Sequence, residues 1–355
     1  MVHTSEIRRV RVLVVDDSAF ARWVISGKLR SDPRVQVVGF AGDGIEALQK
    51  TIALRPDVLT LDVQMPRMDG LTALGRIMSE CPTPVVMVSS VTAEDAAPTI
   101  EALGLGAVDF FLKPSTASPV GSSGESADLV AKVLQAANAR VSTSTPAVAL
   151  QRHRSPRRRS GSLHSVIVIG SSTGGPKALC RLTPLLPAGI PAAILIVQHM
   201  PAGFTRSLAE RLDATSQIEV KEAASGDVLQ TGKALVAPGN SNMVVTRAGE
   251  IVLNQDSSLC GIRPSVDVTM ESVARVYGRD SIAVVLTGMG SDGTRGAARI
   301  KASGGGVLVE DESTCTVFGM PKSVLESGNA DEVLPLPRIA DGIMRLVARS
   351  QALVG

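Results

Sequence analysis

Short apolar runs, each followed by a turn rich in glycine, serine or acid and then by a stretch of helical pattern, recur along almost the whole chain. In the first 115 residues they are RVLVV (Arg11 to Val15), VQVVGFA (Val35 to Ala41), VLTLD (Val58 to Asp62), PVVMVSS (Pro84 to Ser90) and AVDFFLK (Ala107 to Lys113). ADLVAKVLQAANAR (Ala127 to Arg140) then reads as a helix on its alanine and leucine spacing. Strand and helix patterns in alternation mark a parallel sheet wrapped by helices, and the five pairs here make five β/α units. From Val166 the alternation resumes with VIVIG, AAILIVQ, GKALVAP, SIAVVLTG and GGVLVED.

The pattern breaks once. VSTSTPAVALQRHRSPRRRSGSLH, residues 141–164, has no apolar period and reads as an exposed linker. A chain of 355 residues exceeds what one core comfortably serves, so the expected organisation is a domain over 1–140, the linker over 141–164 and a second domain over 165–355. Residues 1–140 carry 14 basic and 16 acidic side chains and residues 165–355 carry 17 and 18, whereas the linker has five arginines and no acid. The positive excess is therefore confined to the linker. No aromatic residue interleaves it and neither neighbour is basic, so solvation is expected rather than contact with nucleic acid or a membrane surface.

No apolar run approaches the roughly 18 to 20 residues of a membrane span, and the N-terminus lacks a secretory pattern. Residence in the cytoplasm without membrane insertion is expected. Cys81, Cys180, Cys260 and Cys315 are scattered with no C-x-x-C pair, as reduced, structural thiols would be.

Asp16 and Asp17 end the first strand pattern and Asp62 ends the third. Carboxyl ends of strands in an open parallel sheet share one edge, so these acids can converge although they are distant in sequence. Such an oxygen cluster suits a hard cation such as Mg²⁺ together with a phosphate. Lys113, before Pro114 at the end of the fifth strand, can reach the same edge as a cationic partner; the competing reading is that acids after strands merely cap helices, as Ser18 or Asp69 could. VLVVDDSAFAR, LDVQMPRMDGL, VVMVSS and DFFLKPS together resemble the receiver domain of two-component response regulators over about the first 140 residues. The resemblance implies Asp62 as phosphoacceptor, Asp16, Asp17 and Asp62 around Mg²⁺, Lys113 on the phosphoryl group, Ser89 as the hydroxyl that follows it and Phe110 as the aromatic switch.

The stretch VIVIGSSTGGPKAL raises a different question, whether its glycines cradle a phosphate or expose a hydroxyl. Gly170 and Gly175 have Walker A separation, but Pro176 stands where the lysine must be, and no G-x-G-x-x-G is present. Gly170, Ser172 and Gly174 match G-x-S-x-G, in which a sharp strand-to-helix turn exposes the middle serine; this selects Ser172 over Ser171. A nucleophilic serine needs a base. Of the four histidines, His3 is near the terminus and His153 and His164 lie in the linker or at its edge, so His199, at the end of AAILIVQ, is the base by elimination. The base needs an acid to orient it and stabilise the imidazolium. Asp292, in the glycine loop after SIAVVLTG, is the candidate, and Asp267 in RPSVDV is the possible substitute.

IGSSTGGP, QHMP, RPSVDV and LTGMGSDGTRGA, behind a receiver, resemble the chemotaxis protein-glutamate methylesterases, the CheB family, over essentially the full chain. The resemblance implies two doubly wound parallel-sheet α/β domains, a flavodoxin-like receiver and a Rossmann-like methylesterase domain. It implies a triad of Ser172, His199 and Asp292, whose order differs from that of α/β-hydrolases. Backbone N–H groups around Met289 are the candidate oxyanion donors. The implied activity is hydrolysis of glutamate methyl esters on chemoreceptors, with deamidation of receptor glutamines, under control of a histidine kinase and with no cofactor for the hydrolysis. The family's usual asparagine before the acid is Ser291 here, which leaves that side chain without an assigned role. A receiver-gated transcription factor would need a basic, helix-rich output domain, which the second half is not. A non-catalytic nucleotide-binding domain could use the same glycine loop, but would not require His199 or Asp292.

Overall fold

The computed structural model describes residues 8–90, 93–113, 123–139, 163, 165–256 and 261–352. The chain divides into two compact units between Pro146 and Ala147, inside the segment expected to be a linker, most of which lies outside the described residues.

In the first unit five strands, β1 (Val10–Val15), β2 (Val35–Ala41), β3 (Val58–Asp62), β4 (Val85–Ser89) and β5 (Asp109–Leu112), alternate with α1 (Ala19–Arg30), α2 (Gly44–Leu54), α3 (Gly70–Glu80), α4 (Ala93–Leu105) and α5 (Ser123–Ala137). The sheet order is β2-β1-β3-β4-β5, all parallel. Strands β3 and β4 are buried at every position, the expected state of strands covered by helices on both faces. The order reverses between β1 and β3, so Asp16, Asp17 and Asp62 leave the sheet at its switch point, where open α/β sheets bind ligands. Capping falls to other residues: Ser18 accepts the Ala21 N–H, Asp43 those of Ile45 and Glu46, and Asp69 that of Thr72.

The second unit has β6 (Ser165–Ser171), α6 (Gly175–Leu182), β7 (Ala192–Gln198), α7 (Phe204–Thr215), β8 (Glu219–Glu222), β9 (Lys233–Val236), β10 (Asn242–Val245), β11 (Ile251–Asn254), α8 (Val266–Tyr277), β12 (Ser281–Val285), α9 (Thr294–Ala302), β13 (Gly306–Glu310), α10 (Met320–Glu326), β14 (Glu332–Leu334) and α11 (Leu336–Ala352). Seven of the strands form a parallel sheet in the order β14-β13-β12-β6-β7-β9-β8. Its central strands β6, β7 and β12 are buried throughout. Each buried valine, isoleucine or leucine there contributes about 1.5 to 3 kcal/mol relative to exposure, which makes the middle of the sheet a stiff platform. The short edge strands β8 and β14 and the antiparallel hairpin β10-β11 go beyond the sequence reading. The hairpin packs on α8 instead of joining the large sheet.

Candidate active site and phosphoacceptor site

The carboxyl ends of β6 and β7 lead directly to Ser172 and His199, and that of β12, their neighbour at the centre of the larger sheet, leads through a glycine-rich loop to Asp292. β6 and β7 pair as far as Ser171 opposite Gln198, so Ser172 and His199 are the next residues on adjoining strands. Beyond Ser172 the chain turns through Gly174, whose φ of 78° lies in the left-handed region, and starts α6 with Pro176 in its first turn. The two adjacent serines separate here. Ser171 is fully buried and its hydroxyl donates to Gln198 Oε1 at 2.7 Å, whereas Ser172 is half-buried.

His199 Nε2 lies 2.8 Å from Asp292 Oδ2. A carboxylate can only accept, so Nε2 carries the hydrogen and Nδ1 is the ring nitrogen left for a second partner. Asp292 is buried and also accepts from the Ser265 hydroxyl at 3.0 Å, from the N–H of Val266 at 2.7 Å and from the N–H of Asp267 at 2.9 Å. Burial alone would push this carboxyl up, but the His199 hydrogen bond and charge, with the two backbone N–H groups, outweigh burial and hold it below the usual carboxylate range. The other acid, Asp267, is not on the imidazole. Its Oδ1 accepts the N–H of Gly293 at 2.9 Å and of Gly296 at 2.8 Å, anchoring the loop that carries Asp292. Burial, reinforced by the Asp292 charge, raises its carboxyl.

Gln198, Thr287 and Glu310 are buried polar residues around this edge that motif reasoning did not find. Gln198 Nε2 donates to the carbonyls of Ser172 at 2.9 Å and His199 at 3.1 Å, tying together the turns that follow both strands. Met289 is half exposed and follows Gly288, which lies against Ser172, while Ser291 is exposed on the same loop.

In the first unit, carboxylate oxygens of Asp16, Asp17 and Asp62 lie within 4.8 Å of one another. Lys113 Nζ is 2.8 Å from both Asp16 Oδ2 and Asp62 Oδ2. Burial pushes the Asp62 carboxyl up to about 6, with Asp16 repulsion adding and Lys113 opposing. Burial works against the Lys113 charge, yet its bonds to Asp16 and Asp62 hold the ammonium above its ordinary value. Ser89 is buried and accepts from the Thr99 hydroxyl at 2.9 Å; Phe110 is buried with Lys132 Nζ 5.6 Å from its ring centroid. Apart from Lys113, the fully buried Asp16 Oδ2 meets no hydrogen-bond donor among the described residues, and this all-oxygen set fits a hard divalent cation.

A family model described as CheB methylesterase matches residues 167–343, and one described as response regulator receiver domain matches residues 12–120. A protein-glutamate methylesterase/protein-glutamine glutaminase of Symbiobacterium thermophilum is 50% identical over 354 residues, covering 96% of this chain and 98% of its own. The chain belongs to the CheB family. A further CheB relative, the protein of the same name in Thermotoga maritima, is 47% identical with 96% of this chain and 99% of its own covered. The crystal structure of the Thermotoga maritima CheB methylesterase catalytic domain superposes with a TM-score of 0.50 at 48% identity, covering 51% of this chain and 98% of that one. The CheB assignment therefore spans both units. Among the described residues no helix is long and apolar enough to cross a membrane.

Proposed function

We infer that this chain is a phosphorylation-regulated hydrolase that removes methyl groups from glutamate methyl esters of chemoreceptors and deamidates receptor glutamines. The observation that carries the reading is the 2.8 Å contact between His199 and Asp292, in the loops that follow the two strands flanking β6, the strand that leads into Ser172, in a chain of the CheB family. Ser172 Oγ attacks the ester carbonyl carbon while Nδ1 of His199 takes its proton. The negative carbonyl oxygen is met by backbone N–H groups around Met289. His199 then protonates the departing methoxide, methanol leaves, and an acyl-enzyme remains on Ser172. Water, deprotonated by the same nitrogen, attacks the acyl carbon and frees the glutamate side chain together with the Ser172 hydroxyl. With a glutamine substrate the leaving group is ammonia. Asp292 holds the ring and stabilises the imidazolium without itself taking the proton. None of these steps calls on a cofactor.

In the first unit Asp62 accepts a phosphoryl group from a histidine kinase, and Lys113 contacts the oxygens of that group. Asp16, Asp17 and Asp62 would hold Mg²⁺, which supplies positive charge to phosphoryl transfer. Ser89 and Phe110 follow the change at Asp62. The reaction belongs in the cytoplasm, where receptor tails and kinase meet. A nucleotide-binding output domain is not favoured: Pro176 removes the Walker lysine, and a phosphate site leaves the His199–Asp292 pair without a purpose. The test is methanol release from methyl-labelled receptor by the purified protein, with Ser172→Ala as the inactive control.

A further inference from the structure

Behind Ser172 runs a line of buried polar groups that the triad does not use. Glu310, the last residue of β13, is wholly buried. Its Oε2 accepts the Thr287 N–H at 2.8 Å and its Oε1 the Thr314 hydroxyl at 3.0 Å. Burial raises this carboxyl against those two donors, the Cys315 thiol and the Arg181 charge. A fully buried acid is costly to keep even with such partners, which points to a task.

That task is legible in what Thr287 touches. Its carbonyl accepts the Ser172 N–H at 3.1 Å. Its hydroxyl donates to the Thr173 carbonyl at 3.0 Å and accepts the Val317 N–H at 2.9 Å. Thr287 therefore grips the peptide group that enters Ser172 and the one that leaves Thr173, on either side of the Ser172–Thr173 pair. The next residue, Gly288, is pressed against the same serine: a methyl group there would lie 2.8 Å from Ser172 Cβ and 2.5 Å from Met320 Sδ, both too close. Met289 follows at once. One carboxylate thus sets Thr287, and Thr287 sets both the serine loop and the start of the peptide assigned to the oxyanion.

We propose that Glu310 and Thr287 are positioning residues for ester hydrolysis, holding the Ser172 loop and the Gly288–Met289 peptide at the mutual distance that attack on a carbonyl requires. The proposal rests on the assignment of Ser172 as nucleophile. Misplacing reacting groups by about 1 Å can cost on the order of a hundredfold in rate, so small shifts at Thr287 are enough to be read.

The experiment compares full-length wild type, Thr287→Val, Thr287→Ser and Glu310→Gln in two assays, kcat and KM for methanol release from methyl-labelled receptor and the rate at which a fluorophosphonate labels Ser172. Active sites are counted by the extent of labelling, so unfolded protein does not enter the rates. Thr287→Val should lower kcat by about tenfold or more, with KM within about twofold, and slow labelling in proportion. Thr287→Ser, which keeps the hydroxyl, should recover most of both rates. Glu310→Gln should fall between, because its amide oxygen can still accept the Thr287 N–H while its nitrogen donates to Thr314. Unchanged kcat per active site in Thr287→Val, or a serine variant as slow as the valine one, would overturn the proposal. If the wild type releases no methanol, the ester reading itself fails, and the labelling rates still decide the positioning roles.

Discussion

Asp292 rests on the N–H groups of Val266 and Asp267 in the first turn of α8, while the carboxylate of Asp267 rests on those of Gly293 and Gly296 at the start of α9. Each acid holds the helix entry that carries the other, yet only Asp292 reaches His199. The two roles should part on mutation. Asp292→Asn should lose turnover by something approaching the roughly 10⁴-fold known for acid substitution in a triad. Asp267→Asn keeps an oxygen for both N–H groups and should retain more than about a third of wild-type kcat, since a near-isosteric acceptor leaves both bonds possible. Near-normal turnover in the Asp292 variant with loss in the Asp267 variant would exchange the assignments.

The serine pair gives a second test. Ser171→Ala removes the donor to Gln198 Oε1, a cost of about 1 kcal/mol in stability, and should leave a substantial part of turnover. Ser172→Ala should abolish it. Peptide mapping after fluorophosphonate labelling checks this directly; label on Ser171 would show that the G-x-S-x-G register selected the wrong hydroxyl.

Much of this was legible because the chemistry left few choices. Four histidines reduced the search for a base to His199, and Pro176 removed the phosphate-loop reading. All five receiver strands were readable because each is an apolar run bounded by turn residues. β8, with the sequence EVKE, was not, since an edge strand half in water carries alternating charges, and four-residue strands such as β10 and β11 are too short to show a period. Thr287, Glu310 and Gln198 escaped for another reason. A buried polar residue at a strand end looks in sequence like any capping residue, and the partner that gives Thr287 meaning, Thr173, is 114 residues away.

Asp62, the proposed phosphoacceptor, carries a pH signature. Burial raises Asp62 to about 6, so the folded chain binds that proton more tightly than the unfolded one, and stability is lost as pH rises from the ordinary carboxylate range through about 6. In metal-free buffer at pH 8, Asp62→Asn should therefore be the more stable protein, by on the order of 3 kcal/mol for a carboxyl raised from 3.8 to about 6. The advantage should shrink towards pH 4. Thermal unfolding at both pH values reads this, and a variant less stable than wild type at pH 8 would contradict it.

Regulation should pass through the same side chain. Acetyl phosphate with Mg²⁺ should speed methanol release by the wild type and leave Asp62→Asn at its basal rate. An equal response from both proteins would place the phosphoryl group elsewhere or remove the receiver from control.

The central claim is that Ser172, activated by His199, forms the acyl-enzyme. It is met most directly by methanol release from methyl-labelled receptor, measured for phosphorylated wild type, Ser172→Ala and His199→Ala. The account predicts steady release by the wild type and nearly equal, severe losses in both variants, because members of a triad act as a unit; release by Ser172→Ala at a rate near that of the wild type would contradict it.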